Sequence, residues 1–254
     1  VKVPLHIVNA RREQLAAWMQ QQGHVSLQDI CAHFRISEAT ARRDLAALAA
    51  GKQIVRTYGG ALAEFNHRFA SFHERRQKNA EAKARIAAKA MRWIQPGSTI
   101  YLDAGTTVYA IAEALQRQPV ESLTVVTNSL PVAEILAPVP GVRLHVLGGE
   151  LLPRQSVLFG EAAHKALEFY QIDVAFLGAQ GANRDGIWNT QMDVVSFQRR
   201  LLERVAKAVV CLDDSKLDKT APVFLCGWEK VETLLTNASP QRVRKCGLET
   251  ALKG

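Results

Sequence analysis

From about Ser98 onward the chain alternates short apolar strands with helical segments, and no other feature constrains its fold as tightly. Residues 99–103, 123–127, 143–147, 174–177 and 208–212 read as strands, and 108–116, 131–137, 162–170 and 194–206 as the helices between them. The strands carry continuous apolar runs rather than a polar–apolar alternation, which is the pattern of a strand covered on both faces. Strand, crossing helix and parallel strand in regular succession predict an α/β fold, a Rossmann-like parallel sheet with helices on both sides.

In such sheets ligands bind beyond the carboxyl ends of the strands. Here the first strand ends D-A-G-T-T and runs straight into a helix, offering Asp103, Gly105, Thr106 and Thr107. Glycine lets backbone approach closely, and hydroxyls with free N–H groups at a helix start suit a phosphate. The second strand ends V-V-T-N-S, giving Thr127, Asn128 and Ser129 for a polyol. The third ends L-G-G-E with Gly148 and Gly149, the fourth F-L-G-A-Q-G, and the fifth C-L-D-D-S-K with Lys216. A D-A-G-T-T loop alone serves equally as a tight turn. Five polar or glycine-rich ends converging on one rim point to a small, anionic, hydroxylated ligand. G-A-Q-G-A-N-R-D-G lacks the dinucleotide spacing G-x-G-x-x-G, and no Walker A motif occurs, so no nucleotide cofactor is expected.

The first third of the chain has a different character. Residues 11–22 form a helical stripe through Leu15, Trp18 and Met19, stopped by Gly23. S-L-Q-D at Ser26 opens a second helix, 27–34, with Leu27, Ile30, Cys31 and Phe34 inward, and Ser37 caps a third, 38–50. Two short helices joined by so brief a turn make a helix-turn-helix. On the third helix Ala41, Leu45 and Leu48 share the inward face, while Ala39, Arg43 and Ala46 face outward with Thr40 and Arg42 on the flanks. Arginine forks reach guanine edges in a major groove, and Ser37 and Thr40 suit phosphate. The plainer alternative is that Arg42 and Arg43 solvate a surface helix; the capped turn and the inward triad together favour the reading element. I-V-R-T-Y-G-G-A-L after it reads as a two-stranded wing that places Arg56 and Tyr58 beside the groove.

Charge agrees with that division. Residues 1–79 hold 12 Lys and Arg against 6 Asp and Glu, and residues 80–254 hold 20 against 18, so most of the net +8 sits in the first third. Such asymmetry points to an anionic macromolecule at one end.

S-E-A-T-A-R-R-D-L with I-V-R-T-Y-G-G-A closely resembles the N-terminal domain of the deoxyribose-operon-repressor (DeoR) family of bacterial regulators. K-A-R-I-A, I-Y-L-D-A-G-T-T, V-V-T-N-S-L, L-G-G-E, F-G-E-A-A and D-D-S-K resemble the family's effector domain in order and spacing. The resemblance implies three segments: a winged helix-turn-helix over 1–62, a linker over 63–80, and a sugar-phosphate-sensing and oligomerisation domain over 81–254, similar in fold to ribose-phosphate isomerases. Asp44 is expected to pair with a neighbouring arginine. Where many members have an acidic residue and then a lysine, this chain has Met192 and Gln198, with Asp193 nearby, so the sugar is not named from it.

Composition leaves few other classes open. With 48% hydrophobic and 22% charged residues the chain has ample core material, which excludes a disordered chain. No apolar run approaches a membrane span, and the N-terminus lacks the apolar stretch of a signal peptide. Cys31, Cys211, Cys226 and Cys246 are scattered without zinc spacing, and His67 and His73 read as solvated linker residues rather than a metal site. Reduced thiols in a cytoplasmic protein are expected, with no metal.

The expected function is a DNA-binding transcriptional regulator, a repressor of a sugar or polyol operon, working as a dimer or tetramer on duplex DNA under a phosphorylated sugar. Three alternatives stay open. One is an activator. Another is a sugar-phosphate isomerase with a DNA tether, using Asp103 or Asp213 as base and Lys216 as stabiliser. The last is a constitutive DNA-binding protein whose second domain only assembles oligomers.

Overall fold

A computed structural model describes residues 4–22, 24–50, 54–57, 60–63, 72–152 and 155–252. The chain forms two compact units, Val1–Phe69 and Ala70–Gly254.

The first unit begins with α1 (Leu5–Gln22). The helix starts six residues before the expected position, because the Pro4 carbonyl accepts from the N–H groups of Ile7 and Val8 and so nucleates it at the proline. β1 (His24–Ser26) leads into α2 (Leu27–Phe34) and α3 (Glu38–Ala50). β2 (Ile54–Thr57) and β3 (Gly60–Ala63) form the expected wing, with Thr57 opposite Gly60. β1 pairs with β3, so the wing is one edge of a three-stranded sheet in the order β1-β3-β2. The core is the set the helical periodicity selects: Leu15, Met19, Ile30, Ala41, Leu45 and Leu48 are buried, with Trp18, Leu27, Cys31 and Phe34 packed against them. Each fully buried leucine or isoleucine here stabilises the unit by about 1.5–3 kcal/mol.

The second unit opens with α4 (Phe72–Gln77), a helix inside the stretch where the sequence shows no periodicity, and α5 (Ala80–Ala90). Then come β4 (Thr99–Leu102), α6 (Thr106–Arg117), β5 (Leu123–Thr127), α7 (Leu130–Leu136) and β6 (Val142–Val146). A hairpin of β7 (Glu150–Leu152) and β8 (Val157–Phe159) is followed by α8 (Glu161–Leu167) and β9 (Ile172–Leu177). β10 (Gly181–Asn183) and β11 (Gly186–Asn189) form a second hairpin, joined by β13 (Val223–Cys226) after α9 (Met192–Leu202) and β12 (Val205–Cys211). β14 (Thr233–Leu235) and α10 (Pro240–Lys245) complete the unit.

The main sheet is parallel throughout, with strand order β14-β12-β9-β4-β5-β6. Successive side chains point to opposite faces. Ile100 and Leu102 therefore pack under α5, α6 and α7 through Ile86, Ile111, Leu115 and Val132, while Tyr101 packs with Phe197 and Leu201 of α9 and Leu167 of α8. Both faces are covered, as the apolar runs require.

Strand order fixes where a ligand can enter. From β4 the chain proceeds outward through β5 to β6, then returns to the other side of β4 to lay down β9. The reversal lies between β4 and β9, and the crevice beyond their carboxyl ends is the ligand position of doubly wound sheets.

Candidate functional site

In the N-terminal unit, Ser37 caps α3: its hydroxyl accepts from the Thr40 N–H at 3.3 Å and lies 3.0 Å from the Thr40 hydroxyl. Ala39, Arg42, Arg43 and Ala46 are exposed on the opposite side from Ala41, Leu45 and Leu48. Arg42 meets Glu38 one turn back at 3.1 Å, and the Arg43 Nε donates to the Ala39 carbonyl at 3.2 Å. Asp44 is buried and accepts from Arg11 Nε at 2.7 Å and Arg12 Nε at 2.9 Å, tying α1 to α3. Its carboxylate is thus structural. Arg56 lies in β2; its side chain, and the whole of Tyr58, fall outside the described residues.

In the second unit, five of the ten candidates, Asp103, Gly105, Thr106, Thr107 and Lys216, lie about the crevice between β4 and β9. Asp103 is buried at the end of β4, and its Oδ2 accepts from the Gly178 N–H at 3.0 Å and from Gln198 Nε2 at 2.8 Å. Burial pushes its carboxyl above the usual range, against the pull of the Gly178 and Ala104 N–H groups and the Gln198 amide. Gly105 caps α6; a Cβ there would lie 3.4 Å from the Gly178 Cα, so the two backbones meet with little room for a side chain. Thr106 and Thr107 are buried in the first turn of α6, where amide groups lack helical partners.

Lys216 follows β12 in a short 3-10 turn, Asp214–Lys216, and its Nζ donates to the Ala179 carbonyl at 2.6 Å. The Gly178–Ala179 backbone is thus the common neighbour of Asp103, Gly105 and Lys216. Burial draws the Lys216 pKa down to about 8, with Asp213 opposing and Arg75 and Lys83 adding to the fall. Asp213 accepts from Asn79 Nδ2 at 3.0 Å and from the Ser215 hydroxyl and N–H. Although burial pushes it upward, the Ser215 bonds, the Lys216 charge and the Asn79 amide hold its carboxyl below the usual range.

Two cations of this cluster escape the sequence reading. Lys83 of α5 is buried, and its Nζ donates to the Arg75 and Lys78 carbonyls at 2.5 Å each. Burial lowers its pKa, and burial brings that of Arg75 down to about 10. Lys83 and Thr106 line one cleft of about 330 Å³ with Arg76, Glu81, Glu113 and Arg117. The only signal for them in the sequence is the basic run R-R-Q-K followed by K-A-R-I-A. α4 is anchored in the same place: Phe72 meets Tyr109 edge to face at 5.2 Å, and Arg76 lies 4.9 Å over Tyr109 and 2.5 Å from Glu113.

Of the remaining candidates, Thr127, Asn128 and Ser129 are committed to internal bonds. Thr127 Oγ1 donates to the Leu102 carbonyl at 2.7 Å and accepts from the Ser129 N–H. Asn128 accepts from the Tyr101 hydroxyl at 2.7 Å and donates to the Leu158 carbonyl at 3.1 Å, and Ser129 caps α7 through the Val132 N–H. Gly149 has φ +136, and a Cβ would fall 2.0 Å from the Phe159 carbonyl oxygen; open space surrounds Gly148. Of the two positions that depart from the family pattern, Gln198 is buried in the crevice and Met192 is 63% exposed. Gln198 also donates to the Gly178 carbonyl at 2.9 Å and accepts from Asn189 Nδ2 at 3.1 Å, so both ends of its amide are satisfied.

Chemically, cations, helix-terminal amides and a carboxylate acceptor gathered about the Gly178–Ala179 backbone suit a molecule that carries both a phosphate and hydroxyls. Among the described residues no group of His, Cys, Asp and Glu could hold a metal ion, and no helix is long and apolar enough to cross a membrane.

Residues 11–67 match the family model of the DeoR-like helix-turn-helix domain, and residues 78–238 that of the DeoR C terminal sensor domain. The chain is 33% identical over 231 residues to the glycerol-3-phosphate regulon repressor of Escherichia coli (strain K12), covering 91% of each. It is 31% identical over 241 residues to the L-fucose operon activator of Haemophilus influenzae, covering 94% of this chain and 96% of that one. With the transcriptional repressor GlcR of Bacillus subtilis the identity is 29% over 236 residues, covering 91% and 90%. A solved D-ribose-5-phosphate isomerase bound to phospho-erythronic acid aligns with 54% of this chain and 53% of its own, at a TM-score of 0.40 and 17% identity.

Proposed function

Because the chain belongs to the DeoR family of transcriptional regulators, carrying its DNA-binding and sensor domains, we propose that it represses a sugar or polyol catabolic operon and is released by a phosphorylated sugar. α3 reads the operator through Arg43 and Arg42, with Ser37, Thr40, Arg56 and Tyr58 on the backbone. The effector's phosphate lies against Gly105, Thr106 and Thr107 with Lys216 and Lys83 supplying charge, and its hydroxyls meet Asp103. Thr127, Asn128, Ser129, Gly148 and Gly149 form the wall beside it.

The observation that carries this reading is the meeting of Asp103, Gly105 and Lys216 on the Gly178–Ala179 backbone at the sheet's reversal point. The phosphate-bearing polyol named in the glycerol-3-phosphate regulon relative belongs to the same chemical class. A regulator of a palindromic operator acts at least as a dimer, in the cytoplasm where the operator is.

A second reading draws on the same crevice: a carboxyl shifted upward and a lysine shifted toward neutrality are what an isomerase also needs. Calorimetry and a turnover assay on the full chain separate the two. Phosphorylated sugars or polyols are expected to bind, their unphosphorylated parents not to, and none to be isomerised. Turnover would establish the enzyme reading, and a phosphate panel without a binder would remove the effector pocket.

A further inference from the structure

α2 ends at Phe34 and α3 is capped by Ser37, which leaves two residues to turn the chain. The Ile36 N–H closes α2 by reaching back to the Cys31 carbonyl at 3.2 Å, and the Ile36 side chain packs on the core. Arg35 is thereby placed in the left-handed region, with φ 51. That region favours glycine, or a short polar side chain that bonds its own backbone. The other non-glycine residues with positive φ among those described are Asn79, Ser122, Ser156 and Asp218, all of that short polar kind. Arg35 is the exception.

The arginines around it are engaged. Arg11 and Arg12 are held by Asp44, Arg42 by Glu38, and Arg43 Nε by the Ala39 carbonyl. The Arg35 guanidinium is exposed and makes no ion pair or hydrogen bond among the described residues. It stands two residues before the cap of α3, at the end of the helix where Ser37 and Thr40 also lie.

We propose that Arg35 binds a backbone phosphate of duplex DNA at the edge of the groove that α3 enters, and so sets the depth and register of that helix. The inference rests on the DNA-binding reading of α3. Phosphate contacts of this kind position a reading element without specifying sequence. A strained backbone kept where glycine would relax it is a feature of functional positions. Here the turn holds a cation outward that glycine could not supply.

The test uses the full chain and a random-sequence DNA duplex, titrated over a series of salt concentrations. Arg35→Gly and Arg35→Asn both suit the left-handed turn and both lack the charge. Each is expected to keep or raise the thermal midpoint while flattening the plot of log affinity against log salt by about 0.9, the share of one phosphate. By the same relation the loss at 0.1 M salt is about eightfold. Arg35→Lys keeps the charge and should keep the slope. An unchanged slope in the glycine and asparagine variants overturns the proposal, as does a lowered midpoint in both. Arg43→Ala, run in parallel on a selected operator, isolates the underlying reading: if it weakens binding while the Arg35 variants leave the slope intact, the inference about Arg35 fails and the recognition helix stands. A parent chain without salt-dependent duplex binding overturns both.

Discussion

Replacing Lys216 by methionine sets the stability of the free protein against its function. Burial and the nearby charges of Arg75 and Lys83 bring the Lys216 pKa from 10.5 to about 8, despite Asp213. A shift of one unit corresponds to about 1.4 kcal/mol. The side chain is only partly buried, and residual solvent trims the total, so the ammonium costs the folded state about 2–3 kcal/mol. The unfolded chain binds this proton more tightly than the folded one. The cost is therefore full below about pH 8, shrinks between the two pKa values, and vanishes above the unfolded value. Methionine removes the charge but strands the Ala179 carbonyl, at a pH-independent cost of about 1–3 kcal/mol. The stability of Lys216→Met relative to the parent is thus expected to be more favourable near pH 7 than near pH 9.5, by about 1–2 kcal/mol. Urea unfolding at the two pH values measures it, and a thermal shift with added sugar phosphate should be lost in the same variant. A relative stability that does not change with pH would refute the argument that this ammonium is held at a cost.

Asp44→Ala leaves Arg11 and Arg12, 20% and 28% exposed, without their shared carboxylate; it should destabilise the N-terminal unit by about 2–3 kcal/mol in urea unfolding, since partial exposure lets the arginines relax into water. Gly149→Ala places a Cβ 2.0 Å from the Phe159 carbonyl oxygen at φ +136; a lower thermal midpoint corresponding to about 2 kcal/mol or more is expected, and an unchanged midpoint would show that the β7–β8 approach is not required. Arg43→Ala should weaken binding to a selected operator by about 1–3 kcal/mol in a fluorescence titration. Equal affinity would remove Arg43 from the groove.

Local signals carried the helix-turn-helix almost whole. The bounds of α2 and α3 follow from Ser37 and the apolar triad, because caps and a 3.6-residue period are properties of neighbouring residues. The five central strands follow equally from their apolar runs, except that β12 begins at Val205, inside the stretch expected as helix. β14, three residues long, is too short to show a pattern, and β1 is recognisable only once β3 is in place beside it. The N-R-D-G turn between β10 and β11 carried a hairpin signal that the reading of a loop at a strand end obscured. At the candidate site, Asp103 and Lys216 are legible because they follow strands, Asp103 directly after β4 and Lys216 in the turn after β12. Arg75 and Lys83 are not, because their place near Lys216 depends on the α4–α5 segment folding onto a strand end far along the chain, where Asn79 bonds a residue 134 positions away. Thr127, Asn128 and Ser129 have the right chemistry for a polyol, but their internal bonds are visible only in three dimensions.

The central claim is that one chain couples operator affinity to a phosphorylated sugar. An operator selected from genomic DNA, titrated with the full chain in the presence and absence of each member of a sugar-phosphate panel, tests it directly. A ligand can shift the equilibrium only by its differential affinity for the DNA-bound and released states. The account predicts that at least one phosphorylated sugar or polyol weakens operator binding by about 5–150-fold, and that its unphosphorylated parent does nothing. Operator affinity that stays constant across the whole panel, with DNA binding intact, would contradict it.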